Sequence, residues 1–271
     1  MDTSANAATA AARATVNNPG LRLLARIGYV ASGVLHALIG LLAIAVARGA
    51  AGTEADQSGA LAQVAQTPGG VFVLWLLVIG LAALGLWLVV SAFLSRMGDP
   101  KKRVAHFVNN FVKGIAYIAL SLTALVFALG GSTSSASSTG DLSARLMSSP
   151  GGIFAIAAIG VAIVGVGAYF LVKGIGRGFK KDITVPQGRA GRVVVVLGIF
   201  GYVAKGIALG VVGILFVVAA ASANPAKADG LDAGLKTLAA LPYGFAILIV
   251  VGVGLIAYGA YCIVRARFAH L

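Results

Sequence analysis

A chain of 271 residues that is 59% hydrophobic and only 11% charged, with a mean hydropathy of +0.96, falls outside the soluble globular class, in which charged residues make up about a quarter. Its net charge of +13 arises from 21 Lys and Arg against 8 Asp and Glu, but the basic residues are scattered over the connections between apolar blocks, which argues against a nucleic-acid partner. A single cysteine, Cys262, permits no intrachain disulfide and no cysteine-rich metal centre, and is read as a packing residue.

Residues 1–20 are rich in Ala, Thr and Asn and lack the apolar core of a signal peptide, so they read as a disordered cytoplasmic arm. Apolar blocks follow at 27–46, 71–94, 107–129, 153–172, 194–221 and 243–264, and none contains Asp or Glu. At ~1.5 Å per residue, blocks of about 20 residues cover the ~30 Å hydrocarbon core of a bilayer. The expected fold class is therefore an all-α integral membrane protein with six transmembrane helices. Between alternate blocks, Gly/Ser/Ala-rich stretches lead into short segments with helical apolar spacing, at Leu61 and Val64, at Leu142 and Leu146, and at Leu231, Leu235 and Leu238. These predict short amphipathic helices lying on the outer membrane surface. Pro68, Pro150 and Pro242 follow them and suit the first position of the next helix, with Thr67 and Ser149 as hydroxyl N-caps.

The blocks repeat in pairs. TPGGVFVLW, SPGGIFAIA and LPYGFAILI begin the second helix of each pair, while GYVASGVLHALIG, NNFVKGIAYIALS and GYVAKGIALGVVG form the first. Glycines fall in register at Gly33, Gly114 and Gly206, and again at Gly85, Gly167 and Gly259. Three hairpin repeats are thereby defined, at 21–100, 101–190 and 191–271, within one membrane domain. Because each contains two spans, successive repeats enter with the same orientation, which predicts parallel hairpins in a pseudo-threefold arrangement. The threefold recurrence of apolar hairpins, PGG entries and GYxAxG-type first helices resembles the bacterial family called domain of unknown function 1206. The resemblance covers about residues 22–268 and implies a six-helix membrane protein without implying an activity. The middle repeat departs from it, with Asn109 and Asn110 in place of Gly-Tyr.

Basic residues set the orientation. One side carries Arg13, Arg22, Arg26, Arg96, Lys101, Lys102 and Arg103, then Lys173, Arg177, Lys180, Lys181, Arg189, Arg192, Arg265 and Arg267. The opposite side has only Arg48, Arg145, Lys227 and Lys236 beside Glu54, Asp56, Asp141, Asp229 and Asp232. The expected topology places the basic side and both termini in the cytoplasm of a bacterial plasma membrane, with 47–67, 130–150 and 219–241 outside.

Polarity inside the spans is concentrated on one face of each first helix. Tyr29, Ser32, His36 and Gly40 are spaced by 3, 4 and 4 residues; the aligned positions are Asn110, Lys113, Tyr117 and Ser121, then Tyr202, Lys205, Leu209 and Gly213. Lipid cannot satisfy such groups, so the stripes are expected to converge on protein or on a wet cavity. The register glycines, with Gly210, permit the close helix approach this needs. Lys113 and Lys205 share a repeat position and are expected to face a common cytoplasm-open cavity. Three readings fit them: snorkelling to the headgroup layer, binding an anionic headgroup or solute, and internal hydrogen bonding. Trp87, Tyr169 and Tyr261 read as interfacial belt aromatics.

The ligand-binding candidates are therefore Lys113, Lys205, Ser32, His36, Tyr29, Asn110, Tyr117 and Tyr202. His36 lacks a second ligand at metal spacing, so no metal site is expected. No cofactor is expected, and catalytic signatures are missing from the sequence, so the chain reads as a non-enzyme. The function expected is binding of membrane lipid, anionic headgroups included, or of a membrane-protein partner or a second copy. The alternatives are an anion transporter or channel along the pseudo-threefold axis and a ligand-free scaffold. Against transport, the first helices turn almost wholly apolar outward of Gly40, Ser121 and Gly213 apart from Thr123.

Overall fold

A computed structural model describes residues 19–50, 52–94 and 100–269. All but the last two residues of the amino-terminal arm lie outside the described residues, and so does Arg96. The helices are α1 (Pro19–Ala47), α2 (Gln57–Ala65), α3 (Gly70–Leu94), α4 (Pro100–Ala128), α5 (Ser135–Met147), α6 (Gly152–Ile175), α7 (Gly188–Ala221), α8 (Leu231–Ala239) and α9 (Gly244–Phe268). Six of them, α1, α3, α4, α6, α7 and α9, are long and apolar enough to cross a membrane. Among the described residues no strand occurs beyond the isolated bridge of Ile183 with Ala269.

The short helices α2, α5 and α8 form where the apolar spacing predicts them, but their apolar faces are turned to protein. Leu61, Val64, Leu235 and Leu238 are buried, and Leu146 packs against the cluster of Ile156, Val212 and Phe216. Of the six leucines on these helices only Leu142 is exposed, Leu146 and Leu231 being partly buried. The expectation of helices lying on the membrane surface is corrected accordingly: burying these leucines within the bundle removes the apolar face that would bind lipid.

The PGG entries also differ from expectation. The spans begin at Gly70, Gly152 and Gly244, two residues after each proline. Gly70 N–H donates to Thr67 O at 2.8 Å, and Gly152 N–H to Ser149 O at 3.0 Å. Gly69 and Gly151 take φ of +76° and +77°. A proline followed by a positive-φ residue inside an i to i+3 hydrogen bond is a type II turn. The hydroxyls of Thr67 and Ser149 do not cap the following spans. They donate backwards to Val64 O (2.7 Å) and Leu146 O (2.6 Å), closing the preceding short helices.

The described chain divides into two compact units, one built from residues up to 32 and 64–131, the other from 33–63 and 132 onward. In the first, α3 packs along α4; in the second, α7 packs against both α6 and α9. The register glycines account for these pairings. A Cβ on Gly85 would stand 2.8 Å from the carbonyl oxygen of Gly114, and the reverse distance is also 2.8 Å. Gly167 and Gly206 meet reciprocally at 2.9 and 2.8 Å, and Gly33 would meet the carbonyl of Gly259 at 2.6 Å. In every case the register glycine of a first helix meets that of a second helix from a different repeat. Gly210 lends its backbone to Gly167, but its own Cβ would meet nothing within 4 Å.

Candidate functional site

In the second unit, α7 is drawn close to α9 by Gly201, whose Cβ would lie 2.5 Å from the Cα of Tyr258, and close to α6 by Gly206. One helical turn of α7 between these approaches carries Tyr202 and Lys205. Lys205 Nζ lies 3.1 Å from His36 Nε2 of α1. The same ammonium stands 4.4 Å from the centroid of Tyr258 and 5.2 Å from that of Phe170. For the ammonium to donate, His36 must be neutral with its proton on Nδ1. Two ring faces and one imidazole thus replace the water that an intramembrane ammonium loses, each face worth up to ~2 kcal/mol when desolvated. The Lys205 ammonium is thus turned to side chains of α1, α6 and α9.

Tyr202, fully buried, continues the site as an aromatic stack. Its ring lies 5.3 Å from Tyr258, edge-on, and 5.4 Å from Phe179, stacked at 9°. Tyr261 packs edge-on against Phe179, also at 5.4 Å. Phe179 belongs to a short 3-10 helix, Gly178–Asp182, in the connection between α6 and α7. That connection folds back onto the end of α9, with Thr184 N–H donating to Phe268 O at 2.9 Å. Room for the Phe179 ring is provided by Gly198, where a Cβ would collide with it.

The connection also brings in charge. Lys173 Nζ donates to Asp182 Oδ2 at 2.7 Å, and Arg265 lies 3.9 Å from the same oxygen. Lys173 in addition stands 5.5 Å from the centroid of Tyr202. Two cations, Lys173 and Arg265, therefore flank the carboxylate of Asp182, while Lys205 is held by His36 and the rings of Phe170 and Tyr258.

The first unit carries the other candidates. Ser32 and Tyr117 hydroxyls lie 3.4 Å apart, joining the stripes of the first and second repeats as His36 and Lys205 join those of the first and third. Tyr29 is buried. Asn110 bonds His106 Nε2 at 3.1 Å and accepts from Asn109 at 3.2 Å. Lys113, half-buried, lies three residues farther along α4. Lys113 belongs to the first unit and Lys205 to the second. Ser121 leaves the polar stripe for the α3–α4 contact, its hydroxyl donating to Val78 O at 2.8 Å. Of the three expected belt aromatics Tyr169 is 49% exposed, whereas Trp87 and Tyr261 are buried in protein and leave the belt.

Sequence reasoning passed over Phe170, Phe179, Tyr258, Lys173, Asp182 and Arg265. The cations had been absorbed into the topology signal. A usable sign was Asp182 itself, an acid placed directly after Lys180 and Lys181 in an otherwise basic connection.

A family model described as Domain of Unknown Function (DUF1206) matches the chain three times, over residues 27–95, 108–177 and 200–269, and the chain belongs to that family. An "Uncharacterized protein YxxB" from Bacillus subtilis (strain 168) is 29% identical over 260 residues, covering 93% of each chain. No solved structure matches the chain.

Proposed function

We propose that this member of the DUF1206 family is a non-enzymatic protein of the bacterial plasma membrane, with both termini cytoplasmic, that binds the anionic headgroup of a membrane lipid beside Lys205. The observation that carries this reading is the charge imbalance at the connection end of α6, α7 and α9. Lys173 and Arg265 share one carboxylate, Asp182, and Lys205 faces His36 and two aromatic rings. Among the described residues no carboxylate lies within ion-pair distance of Lys205. Uncompensated positive charge at membrane depth is costly and attracts a counter-ion, and a phosphate or carboxylate headgroup supplies one without leaving the bilayer. The aromatic faces of Phe170, Tyr202 and Tyr258 hold the cations while no anion is bound, and the acyl chains would lie along the apolar helix faces.

Native mass spectrometry of the protein in mild detergent tests this directly. The wild type is expected to retain anionic phospholipid in preference to zwitterionic lipid. The double substitution Lys173→Met, Lys205→Met should lose that preference, and Asp182→Asn should strengthen it by removing the competing carboxylate. Equal retention of anionic and zwitterionic lipid by all three forms would overturn the reading.

A further inference from the structure

The three connections that carry α2, α5 and α8 are tied to one another around a buried acid. Ser135 N–H donates to Ser58 Oγ at 2.8 Å, joining the first connection to the second. Ala55 N–H donates to Asp232 Oδ1 at 2.9 Å, joining the first to the third. Ser143 Oγ reaches Ala228 O at 3.5 Å, a long bond between the second and the third. Asp56 lies between the residues that make the first two ties. It caps α2, its Oδ1 accepting from Gly59 N–H at 3.0 Å. Yet it is only 1% exposed, and its Oδ2 is buried with no hydrogen-bond partner among the described residues.

The charges around Asp56 are unfavourable to a second anion. Glu54 lies on the same connection, and Asp232 faces it from α8, with Asp232 Oδ2 held by Lys236 at 2.6 Å. Asp229 lies near Asp232 and is itself shifted upward, first by burial and then by Asp232. From α5 the group brought to this corner is the Ser135 hydroxyl, which engages Ser58. Among the described residues Lys236 is therefore the one cation that the ion pairs of this corner supply, and it is already committed to Asp232.

We propose that Asp56 is a proton-operated latch on the three connections. Protonated, it fits the buried corner as a neutral group and leaves the ties of Ala55 and Ser58 undisturbed. Ionised, it places an unsolvated carboxylate oxygen beside Glu54 and Asp232, and the strain falls on those two ties. Burial holds the Asp56 carboxyl above its usual range against the opposing Gly59 N–H, with Glu54 and Asp232 adding to the rise. The closed form thus binds the proton more tightly than the opened one. Closure is fully favoured below the ordinary carboxylate range and weakens as pH rises, levelling off once the closed form has itself lost the proton.

Hydrogen exchange of the full-length protein in detergent, corrected for intrinsic exchange and followed from about pH 4 to about pH 8, tests the latch. Amides of 54–60 and 135–139 should lose protection by about tenfold for each pH unit by which closure raises the carboxyl. Asp56→Asn should hold the low-pH protection across the range, whereas Asp141→Asn, on an exposed acid, should titrate like the wild type. Infrared difference spectra of the wild type should show a carboxylic-acid carbonyl band whose loss tracks the loss of protection. A flat wild-type profile, an Asp56→Asn profile that titrates like the wild type, or no such band would each overturn the proposal. If Asp56→Asn does not fold, the infrared band of the wild type decides alone.

Discussion

Ser121 Oγ donates to the carbonyl of Val78 at 2.8 Å where the other two repeats place glycine against glycine. The aligned positions are Gly40 opposite Gly252 and Gly213 opposite Gly160, with would-be Cβ to carbonyl distances of 2.5 to 2.9 Å. Seven residues away along each helix stands the other register pair, Gly33 with Gly259, Gly114 with Gly85, and Gly206 with Gly167. One contact scheme is therefore written three times, each time between helices of different repeats. In the middle repeat one of its two points carries a side-chain hydrogen bond in place of a bare backbone approach. Such a bond within a membrane averages ~0.6 kcal/mol, enough to replace part of the lost packing.

Two glycines one turn apart on α7 separate requirement from composition. Gly206→Ala would push a methyl to 2.8 Å from the Gly167 carbonyl, so α6 and α7 must part; the expected cost is about 1–3 kcal/mol. Gly210→Ala meets open space and should be neutral or stabilise by up to about 1 kcal/mol through helix propensity. Thermal unfolding in detergent should order them Gly206→Ala, wild type, Gly210→Ala. Equal effects would mean that the glycine contact does not hold these helices together.

The spans were legible because length and hydropathy decide them, and the repeats because the PGG entries and register glycines recur in step. The partners were not, since pairing Lys205 with His36 requires knowing which helices are neighbours across 169 residues of sequence. Both residues stand in the polar stripe read from the sequence, which places them on facing helix surfaces without pairing them. TPGG fits a proline-started helix and a type II turn equally well as a string, and only the +76° φ of Gly69 separates them. Tyr169 and Tyr261 share a repeat position, yet only Tyr261 is covered, by the returning connection of Phe179. Repeat position fixes where a ring starts from and says nothing of what later folds over it.

The third repeat pays a conformational cost that the other two avoid. Tyr243 occupies the place of Gly69 and Gly151 with φ of +61°, and its side chain is 87% exposed. A left-handed conformation costs a residue with a Cβ about 1–2 kcal/mol. Tyr243→Gly should therefore raise stability by up to about 1 kcal/mol, after the greater entropy of glycine in the unfolded chain is deducted. A loss of stability in thermal unfolding would show that the Tyr243 ring contributes more than its backbone costs.

Topology can be tested by cysteine labelling, with sites chosen by exposure. Ser58 and Ser135 are poor probes because they bond each other, and Ser58 is buried. Gln66, Ser138 and Asn224 are exposed on the three connections, and Lys180 is exposed at the opposite helix ends. In a Cys262→Ala background, impermeant maleimide added to intact cells should label Cys at the first three positions and spare Cys at Lys180. The reverse pattern would invert the orientation expected from the basic residues.

The seat of Phe179 yields the most specific prediction. Its ring is fully buried on Tyr202 and Tyr261, and a Cβ at Gly198 would occupy the space of the ring edge. Because the obstructed atoms are the far end of a side chain on a connection, the helices need not move, and Gly198→Ala should unseat Phe179 alone. The 3-10 turn would then be held mainly by Lys173 with Asp182 and by Thr184 with Phe268. Trypsin cleavage at the exposed Lys180 and Lys181 should rise by about tenfold, as expected when a locally closed segment loses ~1.4 kcal/mol of protection. Phe179→Ala should act in the same direction and more strongly, by about a hundredfold, because removing the ring has a local cost of about 3 kcal/mol. If both act through one contact, the double substitution should be no more sensitive than Phe179→Ala alone, the strong non-additivity expected of touching groups. Additive effects would show that Gly198 serves some other contact and that the aromatic seat is not what closes the connection over Tyr202.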